Sequence, residues 1–139
     1  MPTVEQYVQA LAEIESYDNP EAWGDYTYLP SGIVLVGQKT VRGKVPGSAH
    51  AVGRWQVHPD RLWGESHRLN VEPLLGESWD SFGMRVVTKL FSLYLPSWSA
   101  VYIAMYWHVG HWCTSAAPEY DAAYAVKYEN ALAELVGAL

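Results

Sequence analysis

Two carboxylates close the first amphipathic stretch of the chain, Leu11-Ala12-Glu13-Ile14-Glu15-Ser16, and they are not equivalent. At about 100° per residue, Val4, Tyr7, Val8, Leu11 and Ile14 form one apolar stripe. Glu15 follows Leu11 by four residues and Val8 by seven, which puts it on that stripe, whereas Glu13 points to nearly the opposite, solvated side. A carboxyl group at the end of an apolar face is costly to ionise unless something compensates it, so Glu15 is the candidate for a raised pKa and for proton chemistry. The competing reading ends the stripe at Ile14 and lets Glu15 emerge at the rim of the core. A second cluster lies at His108 and His111, whose i, i+3 spacing can bring two imidazoles to one metal, with His50 and His58 as further donors. No His-Glu-x-x-His occurs and Gly110 interrupts the pair, so metal ligation is a minor alternative and no metal or other cofactor is expected. Cys113, beside Trp112, reads as a small buried hydrophobe rather than a thiol nucleophile.

The elements that must position these groups are mostly helical. Thr3 and Gln6 form a capping-box pattern, which predicts a helix from Val4 to about Tyr17, ended by Asp18-Asn19-Pro20. A short turn is expected at Pro20 to Trp23. From Asp25 the period changes: Tyr26-Thr27-Tyr28-Leu29, Gly32-Ile33-Val34-Leu35-Val36 and Thr40-Val41-Arg42 are β-prone runs punctuated by Pro30, Gly32, Gly37 and Gly43. They predict a small antiparallel β flap over about residues 25–46. A helix is expected from Pro59 to about Arg68, with proline in its first turn. Trp79, Phe82, Val86, Leu90 and Leu93 recur at three and four residues and predict the cleanest helix, Ser78 to Tyr94. Ala100 to about Gly110 is apolar nearly all round, which marks it as the central buried helix, with Ser97 or Ser99 as its cap. A last helix is expected from Glu119 to about Val136, opened by Pro118, with Tyr120, Tyr124, Tyr128, Leu132 and Leu135 as its stripe. The fold class is therefore α+β and mainly helical: helices around one buried helix, with an inserted flap.

Composition sets the outer bounds. The sequence has 139 residues, half of them apolar, which suits one domain over residues 1–139 with a real core. A formal net charge of −6 argues against a nucleic-acid surface. One cysteine permits no internal disulfide. The first residues, Met-Pro-Thr-Val-Glu-Gln, lack the basic and apolar blocks of a signal peptide, so cytoplasmic synthesis without one is expected. No apolar run reaches spanning length, so membrane insertion is not expected. Seven Trp and ten Tyr supply bulky core, and they are also the flat apolar platforms on which sugar rings stack.

In this order the motifs resemble the lysozyme-like superfamily, closest in pattern to the lytic transglycosylases and phage muramidases. The resemblance rests on Glu15-Ser16 at the end of the first helix and on Gly53-Arg54-Trp55-Gln56-Val57-His58-Pro59, where the family reads Gly-Leu-Met-Gln or Gly-Arg-Tyr-Gln. The third motif, Ala-Ala-Tyr-Asn-Ala-Gly in bacterial members, corresponds to Ala104-Met105-Tyr106-Trp107-His108-Val109-Gly110. There the usual asparagine is absent and one extra residue precedes the glycine.

The resemblance implies one lysozyme-like domain that cleaves the β-1,4 bond between MurNAc and GlcNAc in peptidoglycan, with Glu15 as general acid. A hydrolase adds a second carboxylate at about 5–5.5 Å for retention or about 6.5–9.5 Å for inversion. Asp25 is the better placed candidate and Asp18 the other, although both also fit ordinary turn and loop roles. A lytic transglycosylase needs none, because a substrate hydroxyl attacks. The expected substrate contacts are Ser16, Gly53, Trp55, Gln56, Tyr106 and His108, with Tyr106 orienting Glu15 and His108 standing in for the missing asparagine. Trp55, Trp107 and Trp112 are candidate floors for sugar subsites, although each taken singly reads more readily as core. Arg54 faces an acidic surface, a peptide carboxylate or solvent. The implied partner is the glycan strand, met by a monomer at the bacterial wall, as for a phage lysin or a virion-borne enzyme. The alternative class is a lysozyme-like module without catalysis, serving wall binding or virion structure.

Overall fold

Thr3 and Gln6 exchange hydrogen bonds at the start of the first helix: Gln6 N donates to Thr3 Oγ1 at 3.2 Å and Thr3 N to Gln6 Oε1 at 2.9 Å. This reciprocal cap satisfies two of the donors that a helix start leaves open. The structure, a computed structural model, describes residues 2–16, 54–57, 59–74 and 76–137. The expected turn at Pro20 to Trp23, the β flap, Asp18, Asp25, His50, Gly53 and His58 lie outside the described residues.

The described residues form five helices: α1 (Val4–Ser16), α2 (Pro59–Leu69), α3 (Trp79–Tyr94), α4 (Ala100–Val109) and α5 (Ala122–Gly137). The chain is thus mainly helical. Among the described residues extended pairing is limited to single bridge positions at Val57 and Ser78. α1 packs on α3 and α5, α3 also on α2 and α4, and α4 on α5.

Three aromatic rings join α1, α3 and α5. Tyr7 stacks on Phe91 at 6.0 Å, Phe91 stacks on Tyr128 at 6.5 Å, and the Tyr128 hydroxyl donates to Tyr7 O at 2.9 Å. Phe91 and Tyr128 are fully buried, and side chains of this size contribute about 2–3 kcal/mol each by leaving water. Tyr128 meets the first half of α1, while Tyr124, one turn earlier on α5, meets its last turn at Glu15. The two helices therefore run in opposite senses, and one aromatic ladder fixes where Glu15 stands.

α3 is capped by Ser78 and starts one residue later at Trp79, with Ser81 N donating to Ser78 Oγ at 3.1 Å. Its buried face is Phe82, Val86, Val87, Leu90 and Phe91, whereas Leu93 is 55% exposed, because the stripe rotates out of the core before the helix ends. α4 buries Ile103, Ala104, Met105, Tyr106 and Trp107 and ends at Gly110 in the left-handed region. Its start at Ser99 carries no side-chain cap.

The largest boundary correction concerns α5. It begins at Ala122 rather than Glu119. Asp121, not Pro118, opens it: the Asp121 carboxylate accepts from Tyr124 N at 3.0 Å, and its carbonyl accepts from Ala125 N at 3.0 Å. An aspartate offers the unpaired amides an acceptor, which a proline ring lacks.

Candidate functional site

Glu15 is the carboxyl group that the fold places most unusually. It sits in the last turn of α1, and its side chain is 12% exposed. Tyr124, from the first turn of α5, donates to Glu15 Oε1 at 2.5 Å. The His108 ring, from the last turn of α4, stacks on Tyr124 with centroids 3.9 Å apart and planes 7° apart. That stack carries His108 Nδ1 to 4.0 Å from Glu15 Oε1, while His108 Nε2 lies 3.2 Å from Asp121 Oδ2. Three helix ends and a helix cap thus meet at one carboxyl.

Burial raises the pKa of Glu15, and this exceeds the opposing pull of the Tyr124 hydroxyl, the His108 ring and the Arg61 guanidinium. The same cluster raises the Tyr124 phenol, first through burial and then through the neighbouring carboxyl, so it remains a donor. Asp121 is moved the other way, because the backbone amide of Tyr124 and the His108 ring both favour its ionised form. Two carboxyls near one imidazole are therefore separated: one inclined to hold a proton, one inclined to lose it. With Tyr124 donating to Oε1, the proton of a neutral Glu15 resides on Oε2.

Arg61 approaches from α2. Its guanidinium donates to the carbonyls of Tyr106, at 2.9 Å, and of Trp107, closing the negative end of α4. It also stacks over the rings of Tyr106 and Trp107, at 5.6 and 5.1 Å. Its charge reaches Glu15 through space without a direct ion pair.

Ser16 brings the second motif to this helix end. Its hydroxyl donates to Arg54 O at 2.9 Å and lies 3.3 Å from Ala12 O. Its observed bonds are thus those of a clasp between α1 and the Arg54-Trp55-Gln56 segment. Arg54 pairs with Asp80 of α3, with Nε to Oδ1 at 2.9 Å and Nη2 to Oδ2 at 2.5 Å.

Trp55 is 2% exposed and packs as a core residue, the other of the two readings its sequence position allows. Its indole N–H donates to Asp80 O at 2.9 Å, and its carbonyl accepts from Trp107 Nε1 at 2.8 Å. The ring lies against Gly83, where an added Cβ would stand 2.4 Å from Trp55 Cδ1. Gly83 stands within the continuous helix α3, where the indole occupies the space of a side chain. Trp107, also 2% exposed, is core as well. Gln56 is half-buried and held at φ +45°, a left-handed conformation that a non-glycine side chain adopts at a cost.

Tyr106 faces a different carboxylate from the expected one. Its hydroxyl donates to Glu65 Oε1, and Arg68 Nη2 lies 2.5 Å from Glu65 Oε2. Burial and this carboxylate push the Tyr106 phenol up to about 12. Its ring stacks on Trp112 at 4.3 Å, and Trp112 continues to Trp98 at 4.6 Å. The group that holds Glu15 is Tyr124, which reaches it from a helix 109 residues away.

His108 and His111 do not converge: the first faces Asp121 and the second Glu119, at 3.7 Å. Among the described residues no three potential ligands gather for a metal. Burial raises the Cys113 thiol, which opposes thiolate chemistry. Surface hollows among the described residues include one of about 650 Å³ beside Glu13, Ile14, Lys127 and Leu135, and one of about 420 Å³ beside Trp63, His67 and Asn70. Glu15 lines neither, and the protonation chemistry, rather than hollow size, singles it out.

Tyr124, Asp121 and Arg61 are absent from the sequence-derived site. Asp121-x-x-Tyr124 carried a legible signal, since a helix-opening Asp sets its carboxylate beside the third residue on. Arg61, Glu65 and Arg68 recur at four and three residues, the mark of a charged stripe beside buried Leu62 and Leu69. Comparison with protein-family models, with curated proteins and with solved structures gives no match to this chain.

Proposed function

We propose that the chain is a peptidoglycan-cleaving glycosidase of lysozyme-like type, acting on the β-1,4 bond between MurNAc and GlcNAc with Glu15 as general acid. One observation supports this most: a carboxyl at a helix end, 12% exposed, with a phenol as its direct hydrogen-bond donor and with burial holding its proton. Glu15 passes its Oε2 proton to the leaving glycosidic oxygen as the bond to the anomeric carbon breaks. The resulting carboxylate then takes a proton from the attacking group, a substrate hydroxyl in a transglycosylase or water in a muramidase. In the second case Asp25 is the proposed carboxylate. Gly53 and Gln56 meet the substrate from the segment that Ser16 clasps to α1. The proposed frame has α4 at its centre and the β flap over about 25–46 beside the site, and the domain works as a monomer on glycan strands at the bacterial wall.

The deciding measurement is release of soluble fragments from purified walls, analysed by mass spectrometry. Glu15→Gln should lose about 100-fold or more of the lytic rate while keeping its helical circular dichroism. Anhydro ends identify a transglycosylase and reducing ends a muramidase. Undiminished lysis by folded Glu15→Gln sinks the acid assignment, and no release by wild type from several wall types favours the non-catalytic module.

A further inference from the structure

His108 differs from the other residues around Glu15 in that both of its nitrogens face carboxyl groups. Nε2 stands 3.2 Å from Asp121 Oδ2 and Nδ1 stands 4.0 Å from Glu15 Oε1. The ring cannot turn away from either without giving up its 3.9 Å stack on Tyr124. A neutral imidazole has one N–H, whereas an imidazolium presents one to each carboxyl, as a hydrogen bond to Asp121 at 3.2 Å and as a charge facing Glu15 at 4.0 Å. His108 is also in the last turn of α4, at the negative end of the helix, which it shares with Arg61.

From these contacts we infer that His108 is a positioning residue for Glu15: clamped by Asp121, it holds a positive charge against the Glu15 carboxylate at the moment the acid has given its proton away. The inference rests on the proposed acid role of Glu15 for its meaning in catalysis, but its electrostatic content stands on its own.

The balance of groups supports this assignment. Glu15 is faced by Tyr124 from α5, His108 from α4 and the more distant Arg61 from α2. Tyr124 is a dipole and carries no charge to offset a carboxylate. Arg61 is committed to the carbonyls of Tyr106 and Trp107. His108 is itself faced by Glu15, Asp121 and Tyr124, with Arg61 the opposing cation at the same helix end. Of these, His108 is the ring that both approaches Glu15 and can carry a positive charge, and its side chain is 36% exposed. With Nε2 engaged by Asp121, the ring is a charge partner of the acid rather than a hydrogen-bonding surface for a sugar.

Carbon-13 labelling of glutamate side chains and nitrogen-15 labelling of histidine allow Glu15 and His108 to be titrated directly by NMR in the intact chain, without substrate. Glu15→Gln assigns the Glu15 signal. In His108→Gln, which keeps a hydrogen-bonding side chain but carries no charge, the Glu15 midpoint should move to higher pH. The basic limb of the pH–rate profile for wall lysis should move with it. In Asp121→Asn the His108 midpoint should fall, because its carboxylate clamp is gone. An unchanged Glu15 midpoint in His108→Gln, or an unchanged His108 midpoint in Asp121→Asn, overturns the inference. Failure of the glycosidase proposal would instead appear as lysis retained by Glu15→Gln, with these titrations unaffected.

Discussion

Tyr124 donates a 2.5 Å hydrogen bond to Glu15 across 109 residues of sequence, and this contact fixes the orientation of the acid. Tyr124→Phe keeps the ring and its stack on His108 while deleting the donor. The hydroxyl lowers the proton affinity of Glu15, so its removal should move the Glu15 midpoint to higher pH. We expect a stability loss of about 0.5–1.5 kcal/mol, the usual net value of one such bond. Urea unfolding with NMR titration of Glu15 checks both; a midpoint that falls would contradict the geometry.

Glu15 should also make stability depend on pH. Its folded pKa lies above the unfolded one because burial penalises the anion. Between those two values the folded state binds more protons than the unfolded state, so this group's contribution falls as pH rises. Glu15→Gln retains an acceptor for Tyr124 and removes the penalty. It should therefore melt higher than wild type near pH 7 and lose that advantage below about pH 3, where the carboxyl is neutral in both states. A larger gain at acid pH would show that Glu15 is held as a carboxylate.

At Gly83 any side chain collides with Trp55, because a Cβ there would stand 2.4 Å from the indole. Alanine gains about 0.8–1 kcal/mol of helix propensity over glycine, but overpacking at so tight a contact costs about 1–3 kcal/mol. Gly83→Ala should accordingly lower the melting temperature and perturb tryptophan fluorescence. Since Trp55 accepts from Trp107 and neighbours the Ser16–Arg54 clasp, wall lysis should fall as well. A raised melting temperature would mean the indole shifts at no cost.

The helices were legible because their signals are local. Apolar residues at three and four, a Thr3–Gln6 box and Gly110 as a stop each act within one or two turns. Where two local signals competed, as for Pro118 and Asp121, the residue that satisfies the open amides prevailed. Helical phase likewise put Glu15 on the buried face of α1.

The surroundings of Glu15 were a different matter. Tyr106 and Tyr124 are both aromatic residues on buried helix faces, and nothing local distinguishes the one that meets Glu65 from the one that meets Glu15. Trp55 carries the same indole whether it floors a groove or fills the gap at Gly83. The sequence by itself located the helices to within a few residues and offered Glu15 as a candidate for a proton that is hard to lose. Only the packing of α1 against α5, through the Tyr7–Phe91–Tyr128 ladder, decided that Tyr124, His108 and Asp121 are its neighbours. The reason is physical: periodicity records which face of an element is buried, while the identity of what it is buried against depends on contacts between segments far apart in the chain.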